Sequence, residues 1–337
     1  MNSYRRKSGN ARPTPLLILL VVLIGVGLFS VYLWDRHEQK QEAARYEGES
    51  LYRPEEYSYT ANGVSYGLRD GLECFLLIGL DKFSAQNPDP EAHRNQQQAD
   101  FLVLMLVDHE DQSFRALHIN RDTMTTIQRY GLAGMKLQSM YAQLALAHTY
   151  GNGGTLSCRY TCDAVSGLLL GVPIRHYMSL TMDAIPVLND LVGGVTVTIE
   201  DDFSKVDPEL VQGRTQRLVG QQALTFVRAR GSMTDSSNLK RMERQRSYLA
   251  GLYEQLTASL RGGENFSMRL ATELSDYAVS DLSVEELSEL AERIKDYRYD
   301  GIETLEGEAV VGEQFMEFYP DLDALEAQVI RLMLTEN

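Results

Sequence analysis

From Leu16 to Leu33 the chain carries no charged residue and little except aliphatic side chains. About 18 to 20 such residues cross the hydrocarbon core of a bilayer as a helix. Tyr32 and Trp34 close the run with aromatic rings suited to the membrane–water boundary. The alternative is a cleaved signal peptide, whose apolar part usually spans about 7 to 15 residues before a small-x-small cleavage site. Here the run is longer, and Asp35-Arg36-His37-Glu38 follows it. Residues 14–34 therefore read as a retained transmembrane helix. Arg5, Arg6, Lys7 and Arg12 precede it without any acidic residue. That bias places a basic head, residues 1–13, in the cytoplasm and everything after Trp34 outside the cell.

The charge of what lies outside excludes one class of partner. The 337-residue chain has a formal charge of −15, and setting aside the four basic residues of the head leaves −19 for residues 35–337. Binding to nucleic acid is dominated by neutralisation of phosphates, so no nucleic-acid partner is expected. Three cysteines are too few for a disulfide scaffold. Cys74 sits in an apolar run and reads as buried, whereas Cys158 and Cys162 could bridge outside the cell or stay free. No Cys/His spacing suits zinc.

Residues 35–71 are polar and charged, with Tyr57, Tyr59 and Tyr66 scattered among them, and read as an extracellular stalk. Within it Gly63-Val64-Ser65-Tyr66-Gly67 matches the Gly-x-Ser-x-Gly pattern of serine hydrolases. It lacks the strand before and the helix after that the pattern requires, so chance accounts for it. From residue 72 onward short apolar runs begin: Cys74–Leu80, Phe101–Val107 and Phe114–Ile119. Continuous runs of that length between polar turns indicate strands covered on both faces. Helices are expected over Leu137–His148, Asp163–Leu170, from an N-cap at Asp183 to Gly193-Gly194, over Leu239–Leu260, after Ser283-Val284-Glu285-Glu286, and over Leu322–Leu334. Val195–Ile199 alternates as a strand, and Ala223–Arg230 leads into another. Strands alternating with helices imply an α/β fold, a three-layer αβα sandwich around a central mixed sheet, filling residues 72–337.

Two groups of residues carry chemistry. Arg228 to Arg246 holds Arg228, Arg230, Lys240, Arg241, Arg244 and Arg246 against Asp235 and Glu243, a local +4 in an acidic chain. On a strand, Arg228 and Arg230 would share one face, roughly 6 to 7 Å apart. Such a pair suits a diphosphate between two guanidinium forks, or else ion pairs with the chain's own carboxylates. On the following helix Arg241 and Gln245 lean toward the body of the protein at the edge of the apolar stripe, while Arg244 and Arg246 point elsewhere and read as a solvated face. The second group is acidic. Asp81 ends the first core strand and Asp100 begins the next, so an antiparallel pairing would bring them together as a candidate Mg²⁺ site. Asn120-Arg121-Asp122 ends the third strand at what would be the same edge.

Taken in order, these residues resemble the LytR-CpsA-Psr family. The series runs Leu77-Ile78-Gly79-Leu80-Asp81, Ala99-Asp100-Phe101, Ile119-Asn120-Arg121-Asp122-Thr123, Lys136-Leu137, Tyr150-Gly151 with Gly153-Gly154, and Gly171-Val172-Pro173-Ile174 with Tyr177. It continues through Asp190–Val195 and Leu218–Leu224 to Val227-Arg228-Ala229-Arg230 and Arg241-Met242-Glu243-Arg244-Gln245. It covers about residues 72 to 260. The resemblance implies an enzyme at the outer face of a Gram-positive-type membrane. It would move an undecaprenyl-diphosphate-linked glycopolymer, such as teichoic acid or capsule, onto peptidoglycan with loss of the lipid phosphate. It further implies that Arg121, Arg228, Arg230, Arg241 and Gln245 bind the diphosphate, with Asp100, Arg121 and Arg230 acting in catalysis. Asp81 and Asp100 would hold Mg²⁺, and the prenyl tail would occupy an apolar slot. A polyprenyl-diphosphate hydrolase (pyrophosphatase) and a non-enzymatic envelope regulator are the alternatives. The chain departs from the family pattern at Gln98, where arginine is common, and in the long polar stretch Lys82–Gln98.

Overall fold

The computed structural model describes residues 56–81, 95–130, 136–151, 153–229, 238–263, 265–313 and 315–337. The expected transmembrane helix, basic head and most of the stalk lie outside these residues. Among the described residues, no helix is long and apolar enough to cross a membrane.

Six strands form the central sheet: β1 (Leu72–Leu80), β2 (Ala99–Asp108), β3 (Ser113–Ile119), β4 (His176–Thr181), β5 (Ala278–Ser280) and β6 (Arg298–Thr304), in the order β5-β4-β1-β2-β3-β6. The pairs β1/β4 and β3/β6 are parallel and the others antiparallel, so the sheet is mixed. The apolar runs of β1 and β2 have the expected cause. Cys74, Leu76, Ile78 and Leu80 point into one core, shared with Cys158 and Val165 of α1 (Thr155–Leu168). Leu77 and Gly79 face the other way, toward helices α2 (Ala184–Leu191), α3 (Gln221–Arg228) and α4 (Asn238–Gly262). Those helices form a second core with α5 (Phe266–Leu274), around Phe226, Tyr248 and Leu252. Beyond them lies α6 (Val284–Ile294), whereas α7 (Leu322–Met333) packs on the α1 face and sends Val329 and Leu332 into that core. Ser283 caps α6 through the expected reciprocal box, accepting from Glu286 N at 3.2 Å while its own N–H donates to Glu286 Oε2 at 2.8 Å. Asp183 stands at the N-cap of α2 but makes no side-chain capping bond.

Four expectations change. The end of the stalk is folded: Tyr59–Ala61 and Val64–Leu68 form a hairpin whose second strand pairs with Leu334–Glu336. Asn62 (φ 50°) and Gly63 (φ 82°) supply the left-handed turn, and an Asn-Gly pair is the strongest short hairpin signal in a sequence. The residues after Ser65 are strand, not helix, so the serine-hydrolase pattern is indeed accidental. Second, the helix expected over Leu137–His148 is a strand, Lys136–Gln143, followed by a short 3-10 turn, Leu144–Thr149. Pairing with Met124–Tyr130 decides this, and burial alternates from exposed Tyr141 to buried Ala142. Third, α1 starts at Thr155, well before Asp163. Fourth, the strand expected to carry Arg228 and Arg230 is α3, ending at Arg228. Ala223, Phe226 and Val227 are its buried residues, a 3–4 spacing that outweighs the short alternation of Val-Arg-Ala-Arg. The shared strand face for the two arginines is thus lost, and Arg230 lies outside the described residues.

The three cysteines are free and buried. Cys158 and Cys162 lie one turn apart on α1, where burial pushes the Cys158 thiol up to about 12 and raises that of Cys162 as well.

Candidate functional site

The antiparallel register of β1 and β2 places Leu80 opposite Ala99. Asp81 and Asp100 therefore stand at one edge of the sheet, as the sequence suggested. Because β3 is antiparallel to β2, Asn120-Arg121-Asp122 leaves the sheet at that same edge. Asn120 turns the chain there: its carboxamide oxygen accepts from Asp122 N at 2.9 Å and its carbonyl from Thr123 N at 3.0 Å.

Arg121 is nearly buried and held on several sides. It ion-pairs with Asp100, donates to Gln98 Oε1, and lies 3.4 Å from Asp122 Oδ1 through Nε. Asp122 is fixed in turn by Gln143, whose Nε2 donates to Asp122 Oδ1 at 3.1 Å and to Met316 O at 2.7 Å. At the end of α3, Arg228 Nη2 meets Asp81 Oδ1 at 2.7 Å, with both side chains about 48 % exposed. Arg241, on the first turn of α4, is 2 % exposed. Its Nη2 donates to Asp100 O at 3.4 Å and to Asn238 Oδ1, both uncharged acceptors. Its Nε has no hydrogen-bond partner. No carboxylate among the described residues forms an ion pair with it. Gln245, one turn on, is also buried, and its Oε1 is likewise unpartnered.

Arg241 and Gln245 thus face the body of the protein, as their spacing implied. Arg244 does not point to solvent. It is buried, pairs with Asp201 at 2.7 Å and donates to the carbonyls of Phe226 and Ala229. Those bonds tie α4 to the end of α3, one residue beyond Arg228. Its role is to position that corner.

Beside this polar edge lies an apolar cavity of about 170 Å³ between β1, β4 and helices α2 to α4. Leu77, Phe101, Ile185, Leu188, Val227, Tyr248 and Leu252 line it, and Gln245 shares its wall. Gly79 makes room for it: a Cβ there would sit 2.7 Å from the Cβ of Phe101, so only glycine lets that ring lie across the strand. The cavity could not be placed from the sequence, because its walls come from five separated segments. Two polar partners were also missed. Asn238 Nδ2 donates to Asn120 Oδ1 at 2.6 Å and joins α4 to the β3 turn, and Gln143 orients Asp122. Asn238, three residues before Arg241, carried a faint local signal; Gln143 carried none.

Two carboxylates with hard oxygen donors at one sheet edge suit Mg²⁺, which commonly takes one or two carboxylates plus phosphate oxygens. Among the described residues no group of three or more His, Cys, Asp or Glu side chains could hold a metal ion, and each of the two carboxylates is ion-paired with an arginine, Asp81 with Arg228 and Asp100 with Arg121.

The sequence model of the LytR_cpsA_psr family matches residues 36–330. A relative from Enterococcus faecalis, "Polyisoprenyl-teichoic acid--peptidoglycan teichoic acid transferase TagU", is 26% identical over 284 residues, 84% of this chain and 81% of its own length. Among solved structures, TagV of B. subtilis superposes with a TM-score of 0.59 at 19% identity, covering 78% of this chain and 96% of that one. The structure of "TagT bound to LI-WTA" superposes with a TM-score of 0.58 at 21% identity, covering 78% and 90%. These similarities establish a shared mixed α/β fold around a central mixed sheet.

Proposed function

Because the chain belongs to the LytR_cpsA_psr family, we propose that it transfers a polyprenyl-diphosphate-linked glycopolymer onto peptidoglycan at the outer face of the membrane. The observation that carries this reading is the junction of two unlike surfaces at Gln245. On one side is an apolar cavity, and on the other an edge bearing Arg121, Arg228 and Arg241. A prenyl diphosphate has the same two halves. The name of the Enterococcus relative supports teichoic acid as the kind of polymer.

The chemistry asked of the site is modest, since phosphoryl transfer needs mainly positioning and charge neutralisation. An acceptor hydroxyl oxygen bonds to the sugar-side phosphorus, the bridging P–O bond to the lipid phosphate breaks, and polyprenyl phosphate leaves with that electron pair. The hydroxyl proton passes to Asp100. Arg121 and Arg241 hold the diphosphate, and Arg228 closes on it from α3 when its exposed pair with Asp81 opens. Arg230 joins them in the proposal on its sequence position alone. Asp81 and Asp100 would hold Mg²⁺, which supplies further neutralisation of the diphosphate. The N-terminal span is the proposed anchor.

The test is incubation of the detergent-solubilised full chain with a polyprenyl-diphosphate oligosaccharide, Mg²⁺ and peptidoglycan. Covalent attachment of the oligosaccharide with release of polyprenyl phosphate is expected. Release without attachment would identify a hydrolase, and binding without turnover a regulator.

A further inference from the structure

On the opposite flank of α4 lies a second pocket, of about 150 Å³, whose walls are polar as well as apolar. His118 and Asn120 of the β3 end, Met242, Glu243 and Arg246 of α4, and Phe318 contribute to it. Three observations set it apart from a solvent-filled crevice. His118 is 1 % exposed, yet its Nδ1 has no hydrogen-bond partner. A buried polar atom left that way costs about 1–3 kcal/mol unless something completes it. Arg246 is partly buried and, among the described residues, forms no ion pair, although the chain has 47 acidic against 32 basic residues. The one carboxylate of the wall, Glu243, is engaged by Lys240 Nζ at 2.6 Å.

The pocket is also joined to the edge already described. Asn120 is the residue before Arg121, and it accepts from Asn238 Nδ2 at 2.6 Å while Asn238 Oδ1 accepts from Arg241, so hydrogen bonds run from the pocket wall to Arg241. Phe101 links the two cavities: its ring lines the apolar one and lies 5.0 Å from the imidazole of His118. Burial, and then the nearby charge of Arg246, push His118 down to about 3. The imidazole is therefore neutral and offers a hydrogen bond rather than a charge. One fixed cation, one neutral imidazole and the apolar surfaces of Met242 and Phe318 form a recognisable set. They match a ligand unit with an anionic oxygen, a hydroxyl group and a C–H face.

We propose that this pocket is a saccharide subsite that takes an anionic, hydroxyl-bearing unit of the transferred glycopolymer, next to its diphosphate-linked end. The inference rests on the glycopolymer-transfer reading. The anion itself comes from a polyol phosphate or from a uronic acid, two sources of the same chemistry.

The test is calorimetric titration of the full chain in detergent with three probes: a glycerol phosphate trimer, a glucuronate-bearing trisaccharide and a neutral trisaccharide. At least one charged probe should bind, and Arg246→Gln should weaken it about tenfold or more. Arg246→Lys should restore part of that loss. Affinity for a bare prenyl diphosphate should be unchanged in both variants. Whichever charged probe responds identifies the source of the anion. The proposal is overturned if the neutral probe binds as tightly as the charged ones, or if Arg246→Gln leaves charged-probe affinity unchanged. It is also overturned if Arg246→Gln weakens prenyl diphosphate to the same extent. Should wild type bind a charged probe through Arg246 yet fail to bind prenyl diphosphate, the pocket stands as an anionic-saccharide site, while the transfer reading and the pocket's assignment to a transferred glycopolymer fall.

Discussion

The two ends of strand β1 are both rich in charge, and they differ in what that charge lacks. At the start of the strand Glu73 is 12 % exposed and meets His109 Nε2 at 2.8 Å, Arg175 Nε at 3.4 Å and His176 Nε2 at 3.4 Å. Asp281 on the neighbouring segment takes His176 Nδ1 and Arg159 Nη2, each at 3.1 Å, and the Tyr177 N–H at 2.9 Å. Each carboxylate there holds basic side chains of the protein itself. At the far end, past Leu80, Asp81 and Arg228 are half-exposed, Arg241 is buried against uncharged acceptors, and Gln245 keeps an unpartnered oxygen beside a cavity. Charge density alone therefore does not mark a site. Both ends keep an incomplete buried group, Arg159 Nε at the first and Arg241 Nε and Gln245 Oε1 at the second, but at the second Gln245 borders an apolar cavity, where a ligand can recover the free energy that burying such groups costs.

If that distinction holds, substitutions at the two ends should separate activity from stability. The largest effect is expected at Arg121. Arg121→Ala should lower turnover of a prenyl-diphosphate substrate by about 10² or more, as loss of a transition-state donor commonly does. Single-turnover kinetics on protein shown by circular dichroism to be folded would measure it.

Glu73→Gln should do the reverse, costing about 3 kcal/mol of stability, as loss of one partner of a buried pair does, while turnover per folded molecule stays near wild type. The pH profile gives its signature. The basic side chains around Glu73, His176 first, hold its carboxyl down to about 2, so its contribution is present above the ordinary 4.5 and is lost as pH falls toward 2. Burial works against the His176 charge, but Asp281 and Glu73 raise its pKa above the ordinary 6.5 overall. Its contribution is complete below 6.5 and is lost as pH rises through the raised value. The network is thus strongest between about pH 4.5 and 6.5. Thermal midpoints of wild type and Glu73→Gln should differ most within that window. A difference that does not vary with pH would remove the network from the account.

Much of this contrast was legible in the sequence, and the illegible part has physical causes. β1, β2 and β3 were visible because strands covered on both faces are continuously apolar. Asp81, Asp100 and Arg121 could be placed at one edge because antiparallel neighbours fix the register. Arg228 was put on the wrong element, since four residues of alternation cannot compete with the 3–4 spacing of Ala223, Phe226 and Val227. Arg244 was misread as solvent-facing because its acceptors, the carbonyls of Phe226 and Ala229, come from a separate element, the end of α3, which periodicity within α4 does not encode. The apolar cavity was out of reach for the same reason.

Two smaller effects would sharpen the comparison at the arginine edge. Gly79→Ala brings a Cβ within 2.7 Å of Phe101, so that cavity-lining residue or the strand beside it must shift. Overpacking of this kind costs about 1–3 kcal/mol, and here the affinity for prenyl diphosphate should fall more than the affinity for inorganic diphosphate. Equal losses would mean that the cavity does not receive the lipid. Gln98→Arg is expected to act most weakly. It removes an acceptor of Arg121 and sets a second cation beside it, costing about 1 kcal/mol without ligand. Bound diphosphate should more than offset that cost, so the variant's thermal midpoint should rise further on ligand addition than that of wild type. A smaller rise would show that Gln98 serves the site better as an acceptor.

If one ligand spans the apolar cavity and the arginine edge, its two halves bind better joined than apart. Binding isotherms of wild-type protein for a prenyl diphosphate, the corresponding prenol and inorganic diphosphate test it most directly, with Arg241→Gln measured alongside. Prenyl diphosphate should bind about 10² tighter than either half, and Arg241→Gln should remove most of that advantage while leaving prenol binding unchanged. Prenyl diphosphate binding no tighter than inorganic diphosphate, or losing nothing in Arg241→Gln, would contradict it.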